Sequence, residues 1–286
     1  MKKMTLNKKS LLFLWWIFFK EDNMKITKIR NRNIMFTVPE CVDGIVNMAV
    51  ILGTKHNFII DIGIGIANVP EKREWQFFKF SGFKLNLKMK TITILKYACY
   101  SDCVKAMLEY IGDDPKPIIV INTHGDWDHA AGNWVLEENV IISHVLGRER
   151  LDKRWDESIK RAKENDRYFE GEVRKCLPNM VFEGNLHFPE DGISLFHTPG
   201  HTEGCISIYD AVDKVLHAGD SFGASDGKAY FWGQELIDFQ RLVEAYKKCD
   251  FEVCISGHSE PQTKELMGFF EVALAEAIKE SKKTEE

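Results

Sequence analysis

Short apolar segments bounded by turn residues recur along the chain, and their length and β-branched content are typical of strands. Over residues 85–89, leucine and methionine alternate with asparagine and lysine, which predicts a strand with one exposed face. The segment 118–122 is almost continuously apolar after Pro117, as expected of a buried strand. The other predicted strands are 24–29, 34–38, 45–52, 57–60, 140–143, 193–198, 205–209 and 215–218.

Apolar residues at helical spacing lie between these strands. Ser101 is placed to cap a helix whose apolar face reaches Ile111. Further helices are predicted at 148–165, along the stripe 236–246 and after Pro261, with a charged, frayed tail from Lys279. Because strands and helices alternate throughout, the predicted class is α/β or α+β.

Length and composition are those of a globular protein with a substantial core. The chain has 286 residues, of which 44% are hydrophobic and 28% charged, enough for one large domain. A net charge of -5 provides no basic excess, so no nucleic-acid partner is expected. Seven cysteines at irregular spacing argue against a disulfide framework and for a reducing, cytoplasmic location.

Residues 1–23 differ in character from the rest of the chain. Residues 11–19 (LLFLWWIFF) follow four lysines but are too few to span a bilayer, which needs about 20 residues, so no stable membrane insertion is expected. Lys20, Glu21 and Asp22 stand where a signal peptide would have small residues. The codons of these three residues can contain a ribosome-binding sequence just upstream of the codon for Met24. We therefore expect Met24 to be the start and residues 1–23 to be translated upstream sequence or a leader.

Four short polar motifs follow predicted strands, where a scaffold commonly presents site residues. The first, His124 to His129 (HGDWDH), places two imidazoles and two carboxylates within six residues. Nitrogen and oxygen donors clustered in this way are typical ligands of a divalent metal ion. The alternative is that Asp126 or Asp128 caps the next helix while the histidines lie at the surface. The other motifs contain His201 (HTPGHTEG), Asp220 (HAGDS) and His258 (ISGHSEP).

Taken in order, these motifs resemble the metallo-β-lactamase superfamily of dinuclear metallohydrolases. That family carries His-x-His-x-Asp-His, a downstream His, a bridging Asp and a final His, and the resemblance covers roughly residues 24–270. It implies a four-layer αββα sandwich, in which two mixed β-sheets are flanked by helices and the site lies at one edge. The implied domain is 24–272, with a helical insertion at about 147–180 and a charged tail at 273–286.

The resemblance also implies a role for each motif residue. The ligands of the first metal would be His124, Asp126 and His201. Those of the second would be Asp128, His129 and His258. Asp220 would bridge the ions, a metal-bridged hydroxide would be the nucleophile, and Asp128 would orient it and receive its proton. Asp61 (IIDIG) would fix a ligand histidine through a hydrogen bond, although it also suits the turn before Gly63.

Asp126 departs from the family pattern, which has histidine at this position. With three carboxylates instead of two, the formal charge of two divalent ions and their ligands falls from +2 to +1. The site should then acidify water less, hold anions less tightly and suit harder ions better. Two divalent ions are expected, with zinc as the first candidate and iron or manganese as alternatives. With a carboxylate at this position, the chain also resembles the flavo-diiron proteins and the DNA-processing competence proteins.

The later motifs look most like the glyoxalase II-like branch, which implies hydrolysis of a small-molecule thioester, lactone, other ester or phosphoester. No basic cluster that would hold glutathione is apparent in the sequence. Two alternatives stay open: a diiron oxidoreductase of flavo-diiron type lacking its flavodoxin domain, and a nuclease-like member. The aromatic candidates for lining a substrate cleft, on or near the motif loops, are Trp127, Phe222, Phe231 and Trp232.

Overall fold

The computed structural model describes residues 24–39, 45–63, 99–165, 173–225, 228–231 and 235–284. The strands in these ranges form two large sheets and one two-stranded hairpin. The predictions for residues 1–23, for the strand at 85–89 and for Trp232 lie outside these ranges.

The first sheet has seven strands that lie side by side in chain order. Strands β1 to β4 pair antiparallel, whereas β4 to β7 pair parallel. Parallel neighbours require crossover connections, and each of these crossovers contains a helix. The strands are β1 (Lys25–Lys28), β2 (Asn33–Pro39), β3 (Ile45–Leu52), β4 (Asn57–Ile60), β5 (Ile118–Ile121), β6 (Val140–His144) and β7 (Met180–Phe182).

The second sheet has six strands in the order β15-β14-β11-β10-β9-β8. Only β11 and β14 pair parallel among its described strands, so this sheet is also mixed. Its strands are β8 (Asn185–Phe188), β9 (Ile193–His197), β10 (Ile206–Asp210), β11 (Val215–Gly219), β14 (Val253–Ser256) and β15 (Gln262–Thr263). The hairpin between β11 and β14 pairs β12 (Phe222–Ser225) with β13 (Lys228–Phe231).

Five α-helices are described, and none of them is both long and apolar enough to cross a membrane. The second is a single turn that leads into a 3-10 helix at Ala131–Leu136. The helices are α1 (Cys99–Ile111), α2 (Trp127–Ala130), α3 (Val145–Asn165), α4 (Leu236–Lys247) and α5 (Leu266–Thr284).

Successive residues of the central strands point into different cores, which is why these strands are apolar throughout. In β4, Phe58 and Ile60 pack with residues of the second sheet, whereas Ile59 packs with residues of α1 and α3. Leu216 and Ala218 of β11 pack beneath α4 and α5 on the opposite side of the molecule. The layers are therefore helix, sheet, sheet and helix, which confirms the predicted sandwich.

The predicted strands at 45–52 and 57–60 match β3 and β4 at both ends. The prediction that Ser101 caps a helix is wrong, because α1 already includes Cys99 and Ser101 lies inside it. Helix α5 continues to Thr284, so the predicted frayed tail is helical from Lys279 to the last described residue. Strands without a predicted counterpart are β7, β8, β12, β13 and β15, which have two to four residues each and no clear apolar run or period.

Candidate metal centre

The four polar motifs meet at one edge of the sandwich, because each follows the end of a strand. The first motif follows β5 and continues into α2, which carries Asp128 and His129. The others follow β9, β11 and β14, so loops from both sheets contribute. The loops bring together all seven side chains that the sequence singles out as ligands: His124, Asp126, Asp128, His129, His201, Asp220 and His258.

These side chains form three overlapping groups, in each of which one ligand atom per residue lies within 4.8 Å of the others. The groups are His124, Asp126 and His201; Asp128, His129 and His258; and His124, His129 and Asp220. The third group shares a histidine with each of the other two. Asp220 therefore lies between the first group and the second.

Two carboxylates face the imidazoles of the first group, that of Asp126 and that of Asp220. Oδ2 of Asp126 lies 3.2 Å from Nε2 of His201 and 3.6 Å from Nε2 of His124. Oδ2 of Asp220 lies 3.7 Å from the same nitrogen of each histidine. One cation placed among these atoms would face two imidazole nitrogens and two carboxylate oxygens.

The second group is equally close. Nε2 of His258 lies 3.2 Å from Nε2 of His129 and 3.4 Å from Oδ2 of Asp128. Asp220 reaches this group too, with Oδ1 at 3.4 Å from Nε2 of His129 and Oδ2 at 3.1 Å from Nε2 of His258. Two imidazole lone pairs at such a distance repel, so they require a proton or a cation between them.

Hydrogen bonds on the far side of two rings determine which nitrogen faces the centre. His258 donates from Nδ1 to the carbonyl oxygen of Ile45 at 2.8 Å. His129 donates from Nδ1 to Oδ2 of Asp61, also at 2.8 Å. Carbonyl and ionised carboxylate oxygens only accept, so Nδ1 carries the hydrogen in both rings. In the neutral rings Nε2 therefore presents a lone pair to the centre, as a metal ligand requires.

Asp61 orients ligands from a strained backbone position. Its carboxylate is buried and accepts hydrogen bonds from the amide (2.7 Å) and the hydroxyl (2.8 Å) of Thr123, besides that from His129. The Thr123 hydroxyl in turn lies 3.0 Å from Nδ1 of His124. The φ of Asp61 is 55°, so this residue also forms the turn that the sequence suggested. One aspartate thus contacts His129 directly and His124 through a threonine.

Two buried atoms at the centre have no hydrogen-bond partner among the described residues. They are Nε2 of His124 and Oδ1 of Asp220. Unsatisfied buried polar atoms are rare and costly, which points to a group that the protein atoms do not supply. Imidazole nitrogens and carboxylate oxygens are ligands of zinc and other divalent ions. The donor set therefore fits a divalent metal ion.

The electrostatics of the site favour a cation. Burial lowers the pKa of His124 to about 4, so this ring is neutral. Burial would also lower the pKa of His258, but hydrogen bonds with Asp128 and Asp220 outweigh it and raise that pKa to about 10. Burial would raise the pKa of Asp220, yet the neighbouring imidazoles hold it well below its usual range. The carboxylates stay ionised, and the raised pKa values of His129 and His258 let these two imidazoles balance part of that charge when no metal is bound.

Gly257 allows the two sides of the site to approach. A Cβ atom at this position would overlap Oδ1 of Asp220 and would lie 2.7 Å from Cε1 of His129. Any larger residue would displace one or both of these side chains. The glycine in the SGH motif is therefore required by the packing of the centre itself.

Arg150 contacts the centre, although it belongs to none of the four motifs. From α3, its Nε donates a hydrogen bond of 2.6 Å to Oδ1 of Asp126. Burial would raise the pKa of Asp126, but the hydrogen bond with His201 and the hydrogen bond and charge of Arg150 outweigh it, and the pKa stays well below its usual range. Asp126 is thus an ionised carboxylate with one oxygen on Arg150 and the other toward the two histidines.

A cleft of about 690 Å³ adjoins the first group and is lined by α3, the His201 loop and the start of α4. Its basic residues are Arg150, Lys153, Arg154 and Arg241, and its acidic residues are Glu149, Glu203, Glu235 and Asp238. The cleft thus contains as many acidic as basic side chains. Arg150, Lys153 and Arg154 are spaced at i, i+3 and i+4, so they share one face of α3. This spacing is visible in the sequence.

Of the four aromatic residues proposed for the substrate cleft, the three that the structure describes lie elsewhere. Phe222 is only 1% exposed and packs edge-on against Phe270 beneath α4 and α5, so it is a core residue and the prediction for it is wrong. Phe231 stacks on Phe239 at the edge of the same core. Trp127 packs against the core beneath α1 and α3. None of these three is among the described residues that line the cleft. Burial of a large apolar ring in the core is more stabilising than its exposure in a polar cleft.

The chain is similar in sequence to known hydrolases. Acyl-coenzyme A thioesterase MBLAC2 from Gallus gallus is 21% identical over 234 residues, which cover 74% of this chain and 72% of the relative. The protein of the same name from Homo sapiens is 20% identical over 230 residues, with the same coverage. An N-acyl homoserine lactonase from a Bacillus species is 29% identical over 119 residues, 40% of this chain and 41% of the relative.

Solved structures with the same fold include metallo-β-lactamases. The enzyme from Pontibacter korlensis has a TM-score of 0.56 and 16% identity, covering 88% of this chain and 99% of its own. FIM-1 from Pseudomonas aeruginosa, solved in a mono-zinc form, has a TM-score of 0.59 and 11% identity, covering 90% of this chain and 97% of its own. Residues 41–258, most of the chain, match the family described as the metallo-beta-lactamase superfamily. The chain therefore belongs to the metallo-β-lactamase superfamily of metal-dependent hydrolases.

Proposed function

We propose that this chain hydrolyses thioesters with two divalent cations held at the edge of the sandwich, zinc being the first candidate. The observation that carries the proposal is the convergence of four imidazoles and three carboxylates, in which two buried atoms find no partner among the described residues. When bound, such cations lower the pKa of water and polarise a carbonyl oxygen. These are the two requirements for water to attack a thioester at neutral pH.

Asp128 is the proposed proton acceptor. Burial would raise its pKa, but the charge of His129 and its hydrogen bond with His258 outweigh this, so the pKa is lowered and the carboxylate is ionised at neutral pH. Its Oδ2 lies 3.5 Å from Nε2 of His129 and 3.4 Å from Nε2 of His258. A carboxylate held at this point can orient a water molecule and take its proton as the water attacks.

The thioester is favoured by the extent of the likeness to known hydrolases. The thioesterases match 74% of this chain, whereas the lactonase matches 40%. The cleft next to His201 and Arg150 has room for a small-molecule substrate. Three of its cations already contact acidic groups: Arg150 with Asp126, Lys153 with Glu149 and Arg241 with Asp238. Its charges are balanced, which suits a polar carrier group better than a polyanion such as nucleic acid.

A substrate panel with metal-free and zinc-loaded protein tests the proposal. The panel contains an acyl-coenzyme A, a simple acyl thioester without the nucleotide, an N-acyl homoserine lactone and bis-p-nitrophenyl phosphate. We expect the highest kcat/KM for a thioester, loss of turnover with chelator and recovery with zinc. Preference for the phosphodiester, or turnover that chelator leaves unchanged, would contradict the proposal. Asp128→Asn is expected to reduce turnover by more than its loss of metal accounts for, because an amide cannot accept the proton.

Lactone hydrolysis is the second candidate, since the lactonase match has the higher identity of 29% over its shorter span. Both reactions begin with attack of water on an acyl carbonyl, so the site serves either. The panel separates them directly. The redox alternative requires iron, so protein purified without added metal that contains two irons and a visible absorption band would replace the hydrolase proposal.

A further inference from the structure

A carboxylate at position 126 differs from an imidazole in two respects. It adds a negative charge to the site, and it offers two oxygens whose plane can turn about χ2. An imidazole ligand is neutral and presents one nitrogen in a direction that its other nitrogen can anchor. An aspartate that replaces this histidine therefore needs a partner that neutralises its charge and holds its plane.

Arg150 meets both needs. We propose that Arg150 is a positioning residue that holds Asp126 in ligand geometry and offsets its charge; this inference rests on the proposed metal centre. The Arg150 Nε contacts Oδ1 at 2.6 Å, which turns Oδ2 toward His201 and His124, 3.2 Å and 3.6 Å from their Nε2 atoms. With the guanidinium included, the formal charge of the two ions and their surroundings returns from +1 to +2. Asp126 and Arg150 together thus take the place of one neutral histidine.

The pair is shielded enough for this role. The side chain of Arg150 is 29% exposed and that of Asp126 is 22% exposed. Exposed ion pairs contribute little, but a short charge-assisted hydrogen bond between largely buried partners is stronger and more directional. Lys153, one turn further along the exposed face of α3, pairs with Glu149 instead and is 73% exposed. Lys153 therefore provides a matched comparison within the same cleft.

Three glycines place α3 where Arg150 can reach the site. A Cβ atom on Gly125 would overlap the carbonyl oxygen of Gly147 and lie 3.0 Å from the amide nitrogen of Leu151. A Cβ atom on Gly204 would overlap the amide nitrogen of Gly147. The backbones of the first motif, of α3 and of the His201 loop are thus in direct contact. Arg150 follows Gly147 by three residues, so it lies on the same face of the helix, toward Asp126.

Zinc affinity measured without reference to activity tests the inference. Metal-free wild type, Arg150→Gln, Arg150→Lys and Lys153→Gln are titrated with zinc against a chromophoric chelator. We expect Arg150→Gln to weaken the affinity of one zinc site about 10–100-fold, the range for removing a group that orients a ligand. Arg150→Lys keeps the charge without the planar fork and should lie between wild type and Arg150→Gln. Lys153→Gln should stay within about twofold of wild type.

A double-mutant cycle identifies the partner. Since histidine at position 126 needs no anchor for a carboxylate, Arg150→Gln in the Asp126→His background should change zinc affinity by less than about twofold. An equal loss in both backgrounds, an effect of Lys153→Gln as large as that of Arg150→Gln, or an unchanged affinity in Arg150→Gln would each overturn the inference. A raised KM with unchanged zinc affinity would assign Arg150 to substrate binding instead. Failure of the wild type to bind metal would overturn the proposed function itself.

Discussion

Replacing Asp61 with asparagine changes the hydrogen-bonding capacity of this buried group while keeping its shape. In the wild type one carboxylate oxygen accepts the amide hydrogen of Thr123, and the other accepts the Thr123 hydroxyl and Nδ1–H of His129. An amide group can accept on only one side. Whichever way it turns, its NH2 group faces at least one buried donor that needs an acceptor.

The cost follows from these contacts. A buried donor left without an acceptor costs about 1–3 kcal/mol of folding free energy. His129 can avoid this by moving its hydrogen from Nδ1 to Nε2, but Nε2 then no longer has a lone pair for a metal. Loss of such an orienting partner lowers metal affinity by about 10–100-fold, equivalent to about 1.4–2.7 kcal/mol. Asp61→Asn should therefore lose zinc affinity and stability together.

The assay is zinc titration of metal-free protein against a chromophoric chelator, combined with denaturant unfolding. Asp191→Asn is the control, because Asp191 is also buried and accepts hydrogen bonds from the Lys55 amide (2.7 Å) and from Nδ1 of His56 (2.8 Å), outside the candidate metal groups. It should lose a similar stability and keep wild-type zinc affinity. Wild-type affinity in Asp61→Asn, or an equal loss of affinity in the control, would show that Asp61 does not orient a metal ligand.

Three further predictions address other parts of the molecule. Burial lowers the pKa of His217 to about 4. The stabilisation that depends on its neutral ring, about 3 kcal/mol, is therefore complete above about pH 6.5 and is lost as the pH falls toward 4. The free energy of unfolding of His217→Gln should depend less steeply on pH over this range than that of the wild type. Gly257→Ala should lose metal by displacing Asp220, whereas Gly268→Ala, where a Cβ has open space, should bind metal normally in the same elemental analysis. Asp126→His exchanges an oxygen donor for a nitrogen donor, so it should bind zinc more tightly and change the order of affinity among zinc, iron and manganese; an unchanged order in competition titrations would contradict this expectation.

Local features of the fold could be predicted from the sequence, whereas features that depend on contacts between distant residues could not. Strands β3 and β4 are recognisable because apolar runs end at Gly53 and other turn residues, and both signals lie within a few neighbouring residues. Strands such as β8 and β15 owe their pairing to a sheet partner and have too few residues to show a period. Ser101 shows the same limit, because α1 begins at Cys99 although serine is a residue type that favours the cap position.

The candidate site divides in the same way. The residue types and order of the motifs suffice to single out the seven converging side chains, and the early aspartate at position 61 is recognisable as well. The contact between Arg150 and Asp126 spans 24 positions and depends on backbone approaches at three glycines, which no local pattern encodes. Phe222 lies beside a motif yet packs into the core, since chain proximity to Asp220 does not determine where an aromatic ring points.

The seven side chains are inferred to hold two divalent cations. The decisive measurement is elemental analysis of metal-free protein after reconstitution with zinc and removal of excess metal. We expect two zinc ions per chain, and fewer than two in Asp220→Asn, since Asp220 lies between the two groups. A wild-type ratio of one or less, or a ratio of two that Asp220→Asn leaves intact, would show that the seven side chains do not form such a site.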